Sequence, residues 1–345
     1  MKEKRTRILV AAAILFFLAA IVFAAGQQEG AAEKPKSIAV YMPGLLGAGN
    51  AMLEMAKAGA EKAEAETGVN LKLIEGGYDW STYEPSLKQL SATGEYDAIM
   101  CFTAGFPGII QTVAAEFPNQ KYMLVDAVVD CGDQAYSVQF NSAEMAFLAG
   151  VFAACVTTSD MAKANPEKKI GMTAGMIYPE MTDLLKPGYE NGAHWIDPGV
   201  ENVFTVTDSW TDPLIGKEIG INMYKVDVDI IFMISSTTDL GTIEAGEQQG
   251  YYCISVNTNM NSTSPGVVLT GVTKAYDQVV YQTIKAAAEG TLKYGAQDTF
   301  GIKDGLVGYT PDDPLYLKYV PKDIQDKMKE AYEGLKKGKI DPLNP

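Results

Sequence analysis

The chain is 345 residues long and 47% hydrophobic, with 43 acidic against 28 basic side chains and a formal net charge of −15 at pH 7. So acidic a body repels phosphate backbones and anionic lipid, which argues against nucleic acid as a partner, and its length suffices for two lobes with a core each. One histidine and four scattered cysteines (Cys101, Cys131, Cys155 and Cys253), with no CxxC pair and no metal-ligand spacing, leave few players for acid–base hydrolysis and none for a metal site.

The N-terminal stretch reads as an export leader followed by a spacer. Lys2, Lys4, Arg5 and Arg7 precede the apolar run Ile8 to Phe23, and Ala24-Ala25-Gly26 supplies the small residues that signal peptidase needs. The run is shorter than the roughly 20 residues of a spanning helix. Residues 1–25 are therefore expected to be a signal peptide and the body to work in the periplasm or otherwise outside the cytoplasm; left uncleaved, the same run would anchor it to the membrane. No cysteine stands near the exit, so a lipid-modified N-terminus is not expected. Residues 26–36 are too polar and too rich in Gly and Ala to pack, and read as a linker.

From Ser37 onward, short β-branched and apolar runs alternate with amphipathic helical runs, the pattern of a parallel sheet covered on both faces. A first group of strands is expected at Ser37 to Met42, Asn70 to Glu75, Tyr96 to Phe102 and Lys121 to Val128, with helices from Ala51 to Thr67, Tyr83 to Ala92 and Gly108 to Phe117. Ala135 to Phe140 reads as a connecting strand. Asn141 is a candidate N-cap for a helix from Ser142 to Val156, with Glu144 where the helix dipole favours a carboxylate. The second group has strands at Lys169 to Ala174, Glu201 to Thr207, Val228 to Ile234 and Tyr251 to Val256, with helices Met181 to Ile196, Pro213 to Tyr224 and Asp239 to Gln249. A strand Gly266 to Val272, a helix Ala275 to Glu289, a strand-like Phe300 to Tyr309 and a helix Lys322 to Lys337 close the chain.

These closing segments need homes in both arrays, so the chain is expected to cross between lobes about three times. Residues 37–138 plus 275–297 would form an N-terminal lobe and 139–274 plus 298–345 a C-terminal one. The expected fold is α/β, two doubly wound parallel-sheet lobes on a multi-strand hinge, with a ligand in the cleft between them.

Gly44, Gly47 and Gly49 follow the first strand, but their order is GxxGxG rather than the dinucleotide-binding GxGxxG. No P-loop, GxSxG elbow or HExxH occurs. His194, alone in its helix, reads as a surface or half-buried residue rather than a ligand. No catalytic residues, metal ligands or cofactors are expected. The carboxyl ends of the strands are more telling, because in an open parallel sheet they converge on one crevice. Phe102 and Phe106, Asp126, Tyr178, Trp210, Asn257 and Asn259 lie there, with Asn50 opening the first helix. Flat aromatics mixed with short polar side chains suit a heterocycle that is stacked on its faces and hydrogen-bonded at its edges.

At these residues the chain resembles the basic membrane protein family of ABC-importer solute-binding proteins, whose members include purine-nucleoside-binding and riboflavin-binding lipoproteins of spirochaetes. The resemblance runs from Ser37 to about Gly338 and is most specific at SVQFNSAEMAFLAG (137–150), KIGMTAG (169–175), PGVVLTGVTKAYD (265–277) and GIKDGLVG (301–308). It implies a type I periplasmic-binding-protein fold, no catalysis, and a membrane permease as partner. By analogy Asp126 would bind the polar edge of the heterocycle, Lys274 would contact ligand hydroxyls or a partner carboxylate, and Trp210 would lie beside the ligand.

Two departures bear on the ligand. The nucleoside-binding relatives carry a DDxSFN-like stretch after the first strand, where this chain has GAGNAML (47–53), and a GVDxDQ-like stretch where this chain has SVNTNM (255–260). A charged ribose acceptor thus becomes Asn257, a neutral donor and acceptor. An aromatic heterocycle bearing a sugar or polyol chain is expected, riboflavin and purine nucleosides standing level. An extracytoplasmic sensor for a membrane kinase or chemoreceptor is the alternative. An exported enzyme is disfavoured by the missing nucleophile–base pairs, and a DNA-binding repressor by the leader that stands in place of its reading helices.

Overall fold

The computed structural model describes residues 36–47 and 49–345. The expected leader, and the expected linker apart from Lys36, lie outside the described residues. In chain order the elements are β1 (Ser37–Met42), α1 (Ala51–Thr67), β2 (Asn70–Glu75), α2 (Tyr83–Thr93), β3 (Ala98–Phe102), α3 (Pro107–Glu116), β4 (Lys121–Val125), β5 (Ala135–Phe140) and α4 (Ser142–Thr157). Next come β6 (Lys169–Ala174), α5 (Lys186–Ile196), β7 (Glu201–Val206), α6 (Pro213–Tyr224), β8 (Val228–Ile234), α7 (Asp239–Gln249), β9 (Tyr252–Ser255) and β10 (Val268–Lys274). The chain ends with α8 (Tyr276–Ala288), β11 (Gln297–Phe300), β12 (Val307–Tyr309), α9 (Pro314–Tyr319) and α10 (Lys322–Lys336).

The strands form two six-stranded sheets, in the orders β11-β5-β4-β3-β1-β2 and β12-β10-β9-β8-β6-β7. All neighbours run parallel except β12, which is antiparallel to β10. Side-chain alternation sets which face each residue serves. In β1, Ile38, Val40 and Met42 join a core that runs through both sheets, while Ala39 and Tyr41 join a second core on the opposite face, under α2 and α3. A third core lies beneath α6 and α7. The apolar α4 is buried along its whole length and packs against α5, where a Cβ at Gly150 would stand 1.9 Å from the Tyr189 carbonyl oxygen. Only a glycine permits that approach. No helix among the described residues is long and apolar enough to cross a membrane.

The chain passes between the sheets after Phe140, after Lys274 and after Phe300. Residues 139–140 and 298–300, expected in the second lobe, therefore belong to strands of the first sheet. The strand expected from Phe300 to Tyr309 is instead broken into the end of β11, a 3₁₀ turn at Ile302–Asp304 and β12. The Asp304 carboxylate accepts from the Gly301 N–H at 2.9 Å, Glu144 accepts from the Ile302 N–H at 2.7 Å, and Gly305 takes a left-handed φ of 73°. The helix expected from Met181 opens as a π turn, Met181–Leu185, before α5. Pro187 has no N–H to give the preceding turn, and the hydrogen-bond ladder widens around it. The short helix α9 was not foreseen; Asp313 caps it and Pro314 occupies its first position.

Candidate binding site

In each sheet the strand order reverses beside the first strand of the array, β1 or β6, so a crevice opens at the carboxyl ends. A cavity of about 180 Å³ lies there, lined by both lobes, far larger than a single buried water needs. Four of its lining residues, Thr103, Asp126, Ser236 and Asn257, have φ between 58° and 69°, each just past a strand end. Non-glycine residues rarely adopt this conformation, and backbone strain of this kind gathers where a site holds its side chains in place.

The cavity floor is a buried ionic cluster drawn from three elements. Lys274 ends β10 and is 3% exposed; its Nζ donates to Asp126 Oδ1 at 2.9 Å and to Glu180 Oε1 at 3.1 Å. Asp126 follows β4 of the first lobe and Glu180 follows β6 of the second, so one ammonium ties the lobes together. Tyr276 donates to Asp126 Oδ2 and Ser142 to Glu180 Oε1. Burial pushes the Asp126 carboxyl up to about 6, against the pull of the Lys274 ammonium, with the Glu180 charge adding to the rise. Burial also works against the Lys274 ammonium, but the Asp126 and Glu180 carboxylates together outweigh it and hold its pKa above the ordinary lysine value. Asp239, at the start of α7, lines the same cavity; both its oxygens accept from the Ser235 N–H at 3.0 Å, and burial raises it to about 7.

The walls are aromatic. Trp210 lies flat over Gly175, where a Cβ would come within 2.4 Å of the indole, and its centroid is 6.5 Å from that of Tyr178. From the first lobe Tyr78 and Trp80 face the cavity, Trp80 resting on Tyr83 with ring centroids 6.3 Å apart. Trp210 Nε1, Tyr78 OH, Ser236 Oγ and Asn257 Oδ1 are buried and find no hydrogen-bond partner among the described residues. Buried polar atoms of native proteins are normally paired, so this set points at a guest.

Of the residues expected here, Asn50, Asp126, Tyr178, Trp210, Asn257 and Lys274 all line the cavity. Phe102 and Phe106 do not. Phe102 points into the core shared by the two sheets, and Phe106 stacks on Tyr83 at 5.0 Å in the opposite core. Asn259 is exposed outside the cavity and donates to Asp313 Oδ2 at 2.7 Å. Two donors of the glycine-rich loop after β1 are already taken by carboxylates, the Leu46 N–H by Glu75 and the Gly47 N–H by Glu54. His194 is exposed, with its Nε2 3.2 Å from the Val200 carbonyl oxygen. All four cysteines are free, and no cluster of His, Cys, Asp and Glu among the described residues could hold a metal ion.

Residues 36–339 match the profile of the Bmp family, described as "ABC transporter substrate-binding protein PnrA-like". The chain belongs to this family. Among its relatives, basic membrane protein B of Borrelia garinii is 28% identical over 71% of this chain and 72% of its own. An uncharacterized lipoprotein of Pyrococcus furiosus is 25% identical over 96% of this chain and 90% of its own. The solved ABC transporter solute-binding protein of Aeropyrum pernix K1 superposes with a TM-score of 0.79 at 25% identity, covering 89% of this chain and 93% of that one. The fold of this Bmp-family chain is accordingly the two-lobed type I form.

Sequence reasoning missed Tyr78, Trp80, Glu180, Asp239 and Tyr276. The strand-end rule applied to β2 would have found the first two, since Gly76-Gly77-Tyr78-Asp79-Trp80 follows it directly. The cavity of this Bmp-family protein thus offers flat faces from both lobes, and acceptors and donors at its floor.

Proposed function

We propose that this chain is the extracytoplasmic receptor of an ABC importer, closing its lobes on an aromatic heterocycle that bears hydroxyls on a sugar or polyol chain, and delivering it to a membrane permease. Riboflavin and purine nucleosides are the candidate guests. The observation that carries the reading is the cavity itself, with Trp80 and Tyr78 from one lobe, Trp210 and Tyr178 from the other, and unpaired polar atoms among them. Stacking on such rings is worth about 1–3 kcal/mol per ring. The floor, with two carboxylates on one ammonium, suits a guest that is neutral and donates hydrogen bonds. The cationic, apolar N-terminal stretch and the lipoprotein relative support an extracytoplasmic location.

Calorimetric titration of the purified protein with riboflavin, adenosine and guanosine tests this. Binding of at least one at micromolar affinity or better, with the guest recovered chemically unchanged after prolonged incubation, is the expected result. Failure of all three to bind overturns the ligand class.

A further inference from the structure

The charge around the cavity is lopsided. Asp126, Glu180 and Asp239 line it against a single ammonium, Lys274, which already holds the first two. Asp239 stands apart from that cluster. It is 4% exposed, and the pulls that oppose its burial come from the backbone N–H groups of Ser235 and Ser236 rather than from a cation. A carboxylate buried in this way is costly, and functional sites are where proteins keep such groups.

The backbone beneath it explains its position. β8 ends at Ile234, and the chain turns through Ser235 (φ −136°, ψ 21°) and Ser236 (φ 58°) into the 3₁₀ turn Ser236–Thr238 and then α7. Two successive N–H groups at such a turn, at the head of a helix, form a concavity that draws anions. Both oxygens of Asp239 fill it, each 3.0 Å from the Ser235 nitrogen. The turn is also tied to the aromatic wall: the Thr237 N–H donates to the Trp210 carbonyl at 3.1 Å, and Thr238 Oγ1 donates to the Ser209 carbonyl at 3.2 Å. Ser236, in the same turn, lines the cavity, and its Oγ is buried without a partner among the described residues. A guest stacked on Trp210 thus lies beside an anion-holding turn whose place is taken.

We infer that Asp239 is a specificity-determining residue, a built-in anion that bars phosphorylated forms of the guest. A phosphate beside Trp210 meets a filled turn and the like charges of Asp239 and Glu180. The inference rests on the heterocycle-receptor reading above and adds to it a choice between uncharged and anionic forms.

Wild type, Asp239→Asn and Asp239→Ala are titrated at about pH 8, above the value to which burial lifts this carboxyl. Three pairs serve as probes: riboflavin, adenosine and guanosine, each with its 5′-monophosphate. Wild type is expected to bind the uncharged member of the pair it recognises about a hundred-fold tighter. Asp239→Asn keeps an oxygen in the turn but loses the charge, and should cut that ratio about ten-fold; Asp239→Ala frees the N–H groups and should cut it further. The ratio is taken within one protein, so a general loss of affinity or stability cancels.

A second arm needs no heterocycle. Inorganic phosphate is added in thermal melts of wild type and Asp239→Ala, with chloride at matched ionic strength as control. Phosphate should raise the midpoint of Asp239→Ala more than that of wild type, because the emptied turn takes the ion.

Equal wild-type affinity for a phosphorylated guest and its parent overturns the inference, as does an unchanged ratio in both variants. If Asp239→Ala does not fold, the Asp239→Asn ratio decides. If no member of any pair binds, the heterocycle reading falls and the phosphate arm decides separately: a larger gain in Asp239→Ala upholds the filled turn, and equal gains overturn it.

Discussion

Lys274 Nζ lies 2.9 and 3.2 Å from the two carboxylate oxygens of Asp126, a residue 148 positions earlier in the chain. The pair is almost wholly removed from water, at 3% and 8% exposed, and Glu180 beside it is partly buried. Such a cluster contributes little net stability against an apolar equivalent, but losing one partner leaves buried charge uncompensated. Lys274→Met strands two carboxylates and should destabilise the protein by about 3–5 kcal/mol in urea unfolding. Asp126→Asn should cost less, because the ammonium keeps Glu180 at 3.1 Å. If Lys274→Met unfolds at the wild-type urea concentration, the cluster is not what joins the lobes.

The pH dependence of stability has a separable contribution from Asp229, away from the cavity. Its Oδ2 accepts from Thr157 Oγ1 at 2.8 Å and from the Asn165 N–H at 2.9 Å, while Oδ1 is buried without a partner. Burial raises this carboxyl from 3.8 to about 6. Between those values the unfolded chain has released the proton and the native chain still holds it, so this contribution to stability falls as pH rises from about 4 to about 6 and is flat above. Asp229→Asn has no such titration and keeps an oxygen for Thr157 and Asn165. Relative to wild type, the variant should therefore gain on the order of 1–3 kcal/mol between pH 4 and pH 7. Parallel stability–pH curves for the two proteins would remove Asp229 from the titration.

Trp210 owes its position to the absence of a side chain at Gly175. The indole lies where the Cβ of any other residue would stand, within 2.4 Å of ring carbons, and Gly175 does not have a positive φ that would itself resist substitution. Gly175→Ala should displace the ring and lower ligand affinity by about one order of magnitude, and Trp210→Ala by about one to two, if the indole stacks on the guest. Thermal melts keep apart a displaced ring and a damaged fold. Unchanged affinity in both variants would return Trp210 to simple packing.

What the sequence disclosed, and what it withheld, divides along physical lines. The strands and helices were legible because parallel strands buried on both faces appear as continuous apolar runs between helical periodicities. That the carboxyl ends converge on a crevice was equally legible, and Asp126, Tyr178, Trp210 and Asn257, expected from that rule, line the cavity together with Lys274, which was expected from the family resemblance. Which way a strand-end side chain points was not. Phe102 is the last residue of β3, and its register, fixed by pairing with Val125, turns it into the core. Phe106 lies one turn further on, where it fills the space between Tyr41 and Tyr83. The ionic floor was hidden for another reason: Glu180 becomes a site residue through Lys274, 94 positions away, and Tyr276 through Asp126, 150 positions away. No local pattern encodes such a contact.

The three tryptophans offer a readout of ligand capture that separates the site from the rest of the molecule. Trp80 and Trp210 line the cavity from opposite lobes, whereas Trp195 sits on α5, its ring 6.1 Å from Phe147 and 5.5 Å from the Lys327 ammonium. A heterocycle stacked in the cavity quenches the first two and leaves Trp195 alone, since that ring keeps its neighbours whatever the cleft holds. Ligand-induced quenching should therefore persist in Trp195→Phe, fall by about half in Trp80→Phe or Trp210→Phe, and vanish in the double variant, with stacking on the remaining phenylalanines still supporting measurable binding by calorimetry. Quenching that depended on Trp195 instead would place the guest on the outer face of α5, away from the crevice that the two sheets form.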